Sequence, residues 1–219
     1  QGFHVHSAHW CTSIPWFPAM AYTENEDTLF AHLFVGGSVK KDVNGKELSF
    51  EVATDMPWQG TTVYSCTNEN PVRGTLAVRI PDWSESFTVS GVSGNLNEDT
   101  AKLKDGYLYI TREWKKGDEL KLELSMKTEF IAANTQVRED INKTALRRGP
   151  FIYCLEETDN GAELHRLSVC VNAKPEEIIL NIAGTDAVAL RIAGKRLVDD
   201  AIVVVEAVHA KLDQGYKSA

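Results

Sequence analysis

The sequence predicts an all-β protein: an antiparallel, jelly-roll-like β-sandwich followed by a second, smaller β-rich part. Apolar residues alternate with polar ones, most clearly at Leu120, Leu122 and Leu124, and this period of two indicates a strand with one buried face. Asn44-Gly45 and Asp105-Gly106 are dipeptides typical of two-residue hairpin turns. Strand-length segments recur about every 8–12 residues, which is the spacing of sandwich folds.

The predicted strands are short and follow one another through most of the chain. In order, they are Leu29–Val35, Leu48–Thr54, Thr61–Cys66, Leu76–Ile80, Phe87–Ser90, Tyr107–Thr111, Leu120–Met126, Phe151–Leu155, Leu167–Val171, Ala187–Ile192 and Ile202–Val205. Residues 1–27 contain Pro15 and Pro18, so we expect an irregular segment there. The acidic stretch Glu156–Glu163 is interpreted as a linker. The sandwich then spans 28–156, and the smaller part spans 157–219 with a short helix at Val205–Leu212.

Composition limits the partners that the chain can have. The 219 residues include 23 Lys and Arg against 31 Asp and Glu, a net charge of −8. Acidic proteins repel phosphate backbones and anionic lipid surfaces, so we expect neither nucleic acid nor a membrane as a partner. No apolar run approaches the roughly 18 residues of a membrane-spanning helix. We expect a soluble protein, and the sequence leaves open whether it is secreted, periplasmic or cytoplasmic.

Cysteines are few and scattered, and none forms a CxxC pair of the kind found in zinc ribbons or thioredoxin-like proteins. Cys66, Cys154 and Cys170 each lie in an apolar, strand-like run. Buried thiols acting as small hydrophobic side chains are the preferred interpretation. A disulfide between two of them remains open.

The N-terminal segment places His4, His6, His9 and Cys11 within eight residues. Imidazole and thiolate are good zinc ligands, but this spacing matches none of the common structural zinc sites. The alternative is an edge segment, or residues left from a larger protein. We predict no metal site from these residues.

Aromatic residues next to turns are the remaining candidates for a site. Acidic residues are plentiful, but no catalytic pair, nucleophile elbow or phosphate loop can be identified among them. Trp58, Trp83 and Trp114 each lie beside a turn. Exposed indole rings could stack on sugars, and Trp58 and Trp83 are therefore the predicted substrate-binding residues. The preferred interpretation of all three rings is nevertheless that they close the core at strand ends, because Trp is highly buried on average.

Five ordered motifs give the chain a resemblance to a known family, the β-L-arabinofuranosidase family of glycoside hydrolases, formerly a domain of unknown function. They are DMPWQG at 55–60, LAVRIPDW at 76–83, GYLYITREW at 106–114, KGD at 116–118 and LRRGPFIYCLE at 146–156. The resemblance covers roughly residues 28–156 and concerns the C-terminal β-sandwich region of these enzymes. It fades after about Val171, which suggests that the last part is truncated or diverged.

The resemblance implies an enzyme whose active site lies in an (α/α)6 barrel that precedes one or two β-sandwiches. It implies a retaining mechanism in which a cysteine nucleophile is held by zinc, with further ligands and a carboxylate acid/base from the barrel. The family's Cys-Cys-Pro stretch would fall near residues 9–15, where Cys11 alone remains as a vestigial nucleophile or ligand position. Zinc is thus implied only for the intact enzyme, and no cofactor is expected in this chain.

Three functions are compatible with these observations. The first is a non-catalytic β-sandwich portion of such a glycoside hydrolase, with the missing barrel as its partner and Gln1 marking a cut that removed it. The second is a structural or subunit-contact domain. The third is a free-standing carbohydrate-binding module that uses Trp58 or Trp83. On the first hypothesis the chain alone is inactive.

Overall fold

The computed structural model describes residues 20–91, 100–170, 172–182, 184–196 and 200–207. The described residues fall into two compact units, one within residues 1–125 and the other within residues 126–219. The sequence pattern places the corresponding boundary at 156. The difference arises because the strand at Phe151–Leu155 pairs with a strand near the C-terminus, so the chain from Met126 onward belongs to the second unit.

The first unit is a β-sandwich of two five-stranded sheets. Sheet I has the order β1-β2-β6-β9-β8 and sheet II has the order β3-β4-β5-β10-β7. The strands are β1 (Tyr22–Asn25), β2 (Thr28–Ala31), β3 (Gly37–Val43), β4 (Lys46–Thr54), β5 (Thr61–Cys66), β6 (Val72–Arg79), β7 (Phe87–Ser90), β8 (Ala101–Lys104), β9 (Tyr107–Trp114) and β10 (Glu119–Leu124). The predicted all-β sandwich is confirmed. Among the described strands, one pair, β2–β6, is parallel. The three strands that separate β2 from β6 in sequence, β3, β4 and β5, belong to sheet II.

The two predicted hairpin turns form as expected. Asn44 and Gly45 join β3 to β4, and Asp105 and Gly106 join β8 to β9. All four residues have positive φ angles, between 50° and 78°. Turns of this kind match the twist of the flanking strands and favour Asn, Asp and Gly.

The core lies between the two sheets and is built from the alternate residues of their strands. Trp114 is fully buried, and its ring meets Phe50 of the other sheet edge-on at 5.0 Å between centroids. Its indole Nε1 donates to the carbonyl of Gly74 at 3.2 Å. Asn68, also fully buried, accepts from the Ser49 backbone N–H and donates to the Trp114 carbonyl, so it links sheet II to sheet I. The core and these polar links join the two sheets of the sandwich.

The second unit contains sheet III, an antiparallel sheet in the order β11-β12-β13-β17-β16-β14, with β15 pairing β16. Its elements are β11 (Thr128–Ala132), β12 (Thr144–Arg148), β13 (Phe151–Leu155), α1 (Glu157–Asn160), β14 (Leu167–Val169), β15 (Glu176–Ile182), β16 (Thr185–Arg196) and β17 (Asp200–Ala207). The acidic segment predicted as a linker thus contains the one-turn helix α1.

The predicted helix at Val205–Leu212 is wrong for its first residues, which belong to strand β17. The reason is pairing on both sides, with β13 through Leu155 and with β16 through Leu190. Residues 208–212 lie outside the described part of the chain. Within that part, we find no helix with the length and apolar character needed to span a membrane.

No disulfide joins the three described cysteines. Cys66 is buried in the sandwich core, as predicted, and Cys154 is half-buried. Cys170 is exposed rather than buried, because it follows the short edge strand β14 instead of lying within a covered strand.

Candidate functional site

The predicted site residues fall into two groups. Cys11, together with His4, His6 and His9, lies outside the described residues, so its proposed role stays a prediction. In the described ranges, no group of three or more His, Cys, Asp or Glu side chains is arranged to hold a metal ion. Trp58 and Trp83 lie within the described part, and the structure places both.

Trp58 lies in the loop between β4 and β5 and is half-buried. The loop is closed at its base by the Asp55 N–H, which donates to the Thr61 carbonyl at 3.0 Å. Inside the loop, the Gln59 N–H donates to the Asp55 carbonyl at 2.9 Å. The backbone around Trp58 is therefore tightly hydrogen-bonded.

Trp83 lies in the loop between β6 and β7, and it is also half-buried because part of its ring packs against the core. The Ser84 N–H closes a turn onto the Pro81 carbonyl at 3.0 Å. The Ser84 hydroxyl donates to the Ser86 carbonyl at 2.8 Å. Neither tryptophan is fully buried, so neither ring is excluded from contact with a ligand.

The structure brings the two tryptophan loops to the same end of the sandwich, where β10 ends. The Leu124 N–H donates to the Gly60 carbonyl, two residues after Trp58, and the Ser125 N–H donates to the Ser86 carbonyl, three residues after Trp83; both distances are 2.9 Å. We call Trp58 and Trp83 with these loops the tryptophan rim.

Gly60 is required for this arrangement. A Cβ at that position would lie 2.0 Å from the Leu124 carbonyl oxygen, a distance at which backbone must move. Glycine permits the close approach of the two strands that holds the Trp58 loop in place.

Trp114 does not contribute to a site. Its ring is fully buried, as described above, and the guanidinium of Arg112 lies 5.3 Å from its centroid. Arg112 in turn pairs with Asp118 at 3.2 Å, and the Asp118 side chain also accepts from the Lys115 N–H. For Trp114, the expectation of a ring that closes the core is confirmed.

A second aromatic cluster was not identified from the sequence. Phe30, His32, Tyr107 and Tyr109 meet on the outer face of sheet I, with ring centroids 5.6–6.0 Å apart in four pairs. His32 is held at both ring nitrogens, at 2.6 Å from the Thr23 hydroxyl and 2.7 Å from the Tyr107 hydroxyl. The alternation of Tyr107 and Tyr109 within β9 was the sequence signal, but their partners come from distant strands.

The pKa of His32 is lowered from 6.5, first by partial burial and then by the nearby Arg79 guanidinium. Burial likewise raises the pKa of the Cys66 thiol. Neutral forms of both groups are favoured near pH 7.

Comparisons with known proteins cover both units. Residues 28–126 match the family model described as the β-L-arabinofuranosidase GH127 middle domain, and residues 128–205 match the glycoside hydrolase family 127 C-terminal domain. These matches define the class, that of the glycoside hydrolases. Within it, the chain belongs to family 127, whose middle and C-terminal domains it spans.

Individual relatives agree with this assignment. The non-reducing end β-L-arabinofuranosidase of Bifidobacterium longum subsp. longum is 31% identical over 150 residues, which are 65% of this chain and 22% of that protein. A solved GH127 β-L-arabinofuranosidase from Geobacillus stearothermophilus T6 is 29% identical with a TM-score of 0.81, covering 94% of this chain and 35% of that one. A GH127 β-arabinofuranosidase at 23% identity shares the fold, with a TM-score of 0.79 over 90% of this chain and 34% of that one. The chain thus spans well under half the length of these relatives.

Proposed function

We propose that this chain is the non-catalytic β-sandwich portion of a β-L-arabinofuranosidase-type glycoside hydrolase, and that it supports a catalytic domain located elsewhere in the parent protein. The observation that carries the proposal is the assignment of residues 28–126 and 128–205 to the middle and C-terminal domains of the family. Most of the Geobacillus enzyme lies outside the region that matches this chain.

The chemistry of the described residues supports a non-catalytic role. Cys66 is buried, and its raised pKa opposes the thiolate form that a nucleophile needs. The described side chains do not gather into a set that fits the zinc implied by the family resemblance. The proposal therefore includes no zinc-dependent step among these residues, and Cys11 stays a proposed vestigial position.

The test is an activity assay of this chain on an aryl β-L-arabinofuranoside, with and without added zinc. The Geobacillus relative, of which this chain covers 35%, is the positive control. We expect no turnover above the enzyme-free blank. Turnover that disappears in Cys11→Ser would overturn the proposal, because it would place catalytic chemistry in this chain.

The supporting role has its own test in the relative. Removing the region that corresponds to residues 28–205 from the Geobacillus enzyme should lower the thermal stability of what remains. An unchanged melting temperature together with unchanged turnover would contradict a supporting role.

A second candidate function is carbohydrate binding at the tryptophan rim. It is favoured by the half-exposed positions of Trp58 and Trp83 and by the contacts that bring their loops to one end of the sandwich. Calorimetric titration with arabino-oligosaccharides tests it. This function is supported if the chain binds the ligand and if Trp58→Ala or Trp83→Ala loses binding while its unfolding transition is retained. Absence of binding in the unaltered chain would contradict it.

A further inference from the structure

The outer face of sheet I has an unusual composition for an acidic protein. Strand register places two rows of side chains on this face, opposite to the core. The first row contains Thr23, Phe30, Ala77, Tyr109 and Lys102, and the second contains Arg79, Tyr107 and Lys104, with His32 beside it just after β2. We call these residues the sheet I outer face.

The centre of this face is aromatic. β2 and β9 flank β6, so they lie about 9–10 Å apart, yet the rings of Phe30 and Tyr109 approach to 6.0 Å between centroids. Their rings therefore meet across β6, at the level of Ala77, which is fully buried. Tyr107 is edge-on to Phe30 at 5.8 Å. The rings hold one another in place while each stays partly exposed.

Cations surround the aromatic centre. Arg79 and Lys102 are exposed, and so is Arg73, farther along the same face of β6. Among the described residues, none of these three has a carboxylate within ion-pair distance. Lys104, the fourth cation, lies 3.9 Å from Asp105 at the turn. The face also carries the carboxylate of Glu113, which lies opposite Arg73 in the register and 3.4 Å from the Lys115 amino group. The aromatic centre itself is flanked by Arg79 and Lys102, which the described carboxylates leave without an ion pair.

The outer face of sheet II has the opposite character. Its outward residues include the five carboxylates Asp42, Glu47, Glu51, Glu119 and Glu123. Two lysines share this face, and both are already paired: Lys40 with Glu47 at 3.1 Å and Lys121 with Glu123 at 2.7 Å. No aromatic side chain appears in its described register. The sandwich is therefore basic and aromatic on one face and acidic on the other.

We propose that the sheet I outer face binds an oligosaccharide that carries carboxylate groups. Partly exposed rings contact the apolar faces of sugars, and hydroxyls such as those of Thr23 and Tyr109 bond sugar hydroxyls. Arg79 and Lys102 supply charge-assisted hydrogen bonds to carboxylates. This binding is independent of the supporting role proposed above.

A protein partner fits this face less well than a glycan does. Lysine is depleted at the centre of protein interfaces, whereas Lys102 and Lys104 flank the rings here. An acidic protein that binds this face while no glycan does is therefore an outcome that counts against the proposal.

The test is a calorimetric titration of the full chain with oligogalacturonate, and with a neutral arabino-oligosaccharide of the same length. We expect binding of the charged ligand that is at least about tenfold tighter than that of the neutral one. This preference should shrink severalfold when ionic strength rises from about 0.02 to 0.15 M, because exposed charges are then screened.

Variants locate the binding. The double variant Arg79→Ser with Lys102→Ser should lose the preference, and both side chains are exposed, so folding should be kept. Tyr109→Phe, which keeps the ring, should weaken binding by severalfold through the lost hydroxyl. The matched control is Lys40→Ser with Lys121→Ser on sheet II, which should bind as the unaltered chain does.

Three results would overturn the proposal. They are no detectable binding of oligogalacturonate to the unaltered chain, equal binding of charged and neutral ligands, and an equal loss in the sheet II control. Loss of binding in Trp58→Ala with retention in the sheet I variant would instead assign the sugar to the tryptophan rim. The titrations measure binding and the activity assay measures turnover, so either proposal can be contradicted while the other holds.

Discussion

The hydroxyl of Tyr64 provides a sharp test of how the sandwich core is stabilised. Tyr64 is fully buried on β5, and its Oη is, within the described ranges, the one buried side-chain polar atom that no protein group hydrogen-bonds. Its neighbour Tyr22 is half-buried, and the Tyr22 hydroxyl donates to the Val35 carbonyl at 2.8 Å. The two tyrosines therefore differ in burial and in whether the hydroxyl has a protein partner.

The substitutions Tyr64→Phe and Tyr22→Phe should have opposite effects on the free energy of unfolding. A buried polar group without a partner costs about 1–3 kcal/mol, so removing the Tyr64 hydroxyl should stabilise by about 1–2 kcal/mol. Removing the Tyr22 hydroxyl breaks a made hydrogen bond and should destabilise by about 0.5–1.5 kcal/mol. One kcal/mol corresponds to a melting-temperature change of about 3–6 °C for a unit of this size.

Urea unfolding followed by tryptophan fluorescence measures both effects, because Trp114 lies in the same core as Tyr64. The midpoint should rise for Tyr64→Phe and fall for Tyr22→Phe, with an unchanged slope. If Tyr64→Phe lowers stability as much as Tyr22→Phe does, the hydroxyl has a hydrogen-bond partner and the reasoning fails.

Three further predictions concern single contacts. Gly60→Ala should destabilise the sandwich by about 1–3 kcal/mol, because the added Cβ meets the Leu124 carbonyl oxygen. Thermal unfolding measures the change, and a loss below about 0.5 kcal/mol would contradict the close approach. The free energy of unfolding should fall between pH 7.5 and 5.5, because the pKa of His32 is lowered in the folded protein and the unfolded chain protonates this imidazole first. Urea unfolding should show a smaller fall for His32→Gln, and an identical fall would refute the prediction. Glu177→Gln should destabilise the second unit by about 1–3 kcal/mol in thermal unfolding, because the Arg148 side chain is 4% exposed and loses a carboxylate that accepts two of its hydrogen bonds. The loss is smaller than for a fully buried pair because Glu177 is half-exposed, and an unchanged stability would contradict the pairing.

Strands with apolar inward faces could be predicted from the sequence. Thr61–Cys66 has the same bounds in the prediction and in the structure, and β10 matches closely, because Leu120 and Leu122 face the core while Lys121 and Glu123 face outward. The alternation of apolar and polar residues reports the buried face directly when nothing charged is buried.

Strands with charged inward residues were missed for the opposite reason. In β3, Lys41 faces the core between Val39 and Val43, with its side chain 5% exposed and its Nζ 3.7 Å from Glu24. In β12, Arg148 faces inward and binds Glu177 of β15. A buried cation reverses the polarity signal of each strand, and the carboxylate that pairs with it comes from another strand that the local pattern does not reveal.

The candidate site was predictable only in part. The turn context singled out Trp58 and Trp83, and both are half-exposed in loops. Their meeting at the end of β10 depends on the Leu124 contact with Gly60, which no local pattern contains. The sheet I outer face joins Phe30 to Tyr109 across an intervening strand, so it appears only once the strand order is known.

Net charge illustrates the same limit for electrostatics. A net charge of −8 predicts repulsion of anions, and that argument holds for a large polyanion approaching from a distance. At contact, however, the screening length in physiological salt is about 8 Å, and packed sheets lie about 10 Å apart. Each face of the sandwich therefore acts on a bound ligand mainly through its own charges. A short oligosaccharide at Arg79 and Lys102 would experience a cationic surface, even though the chain as a whole is acidic.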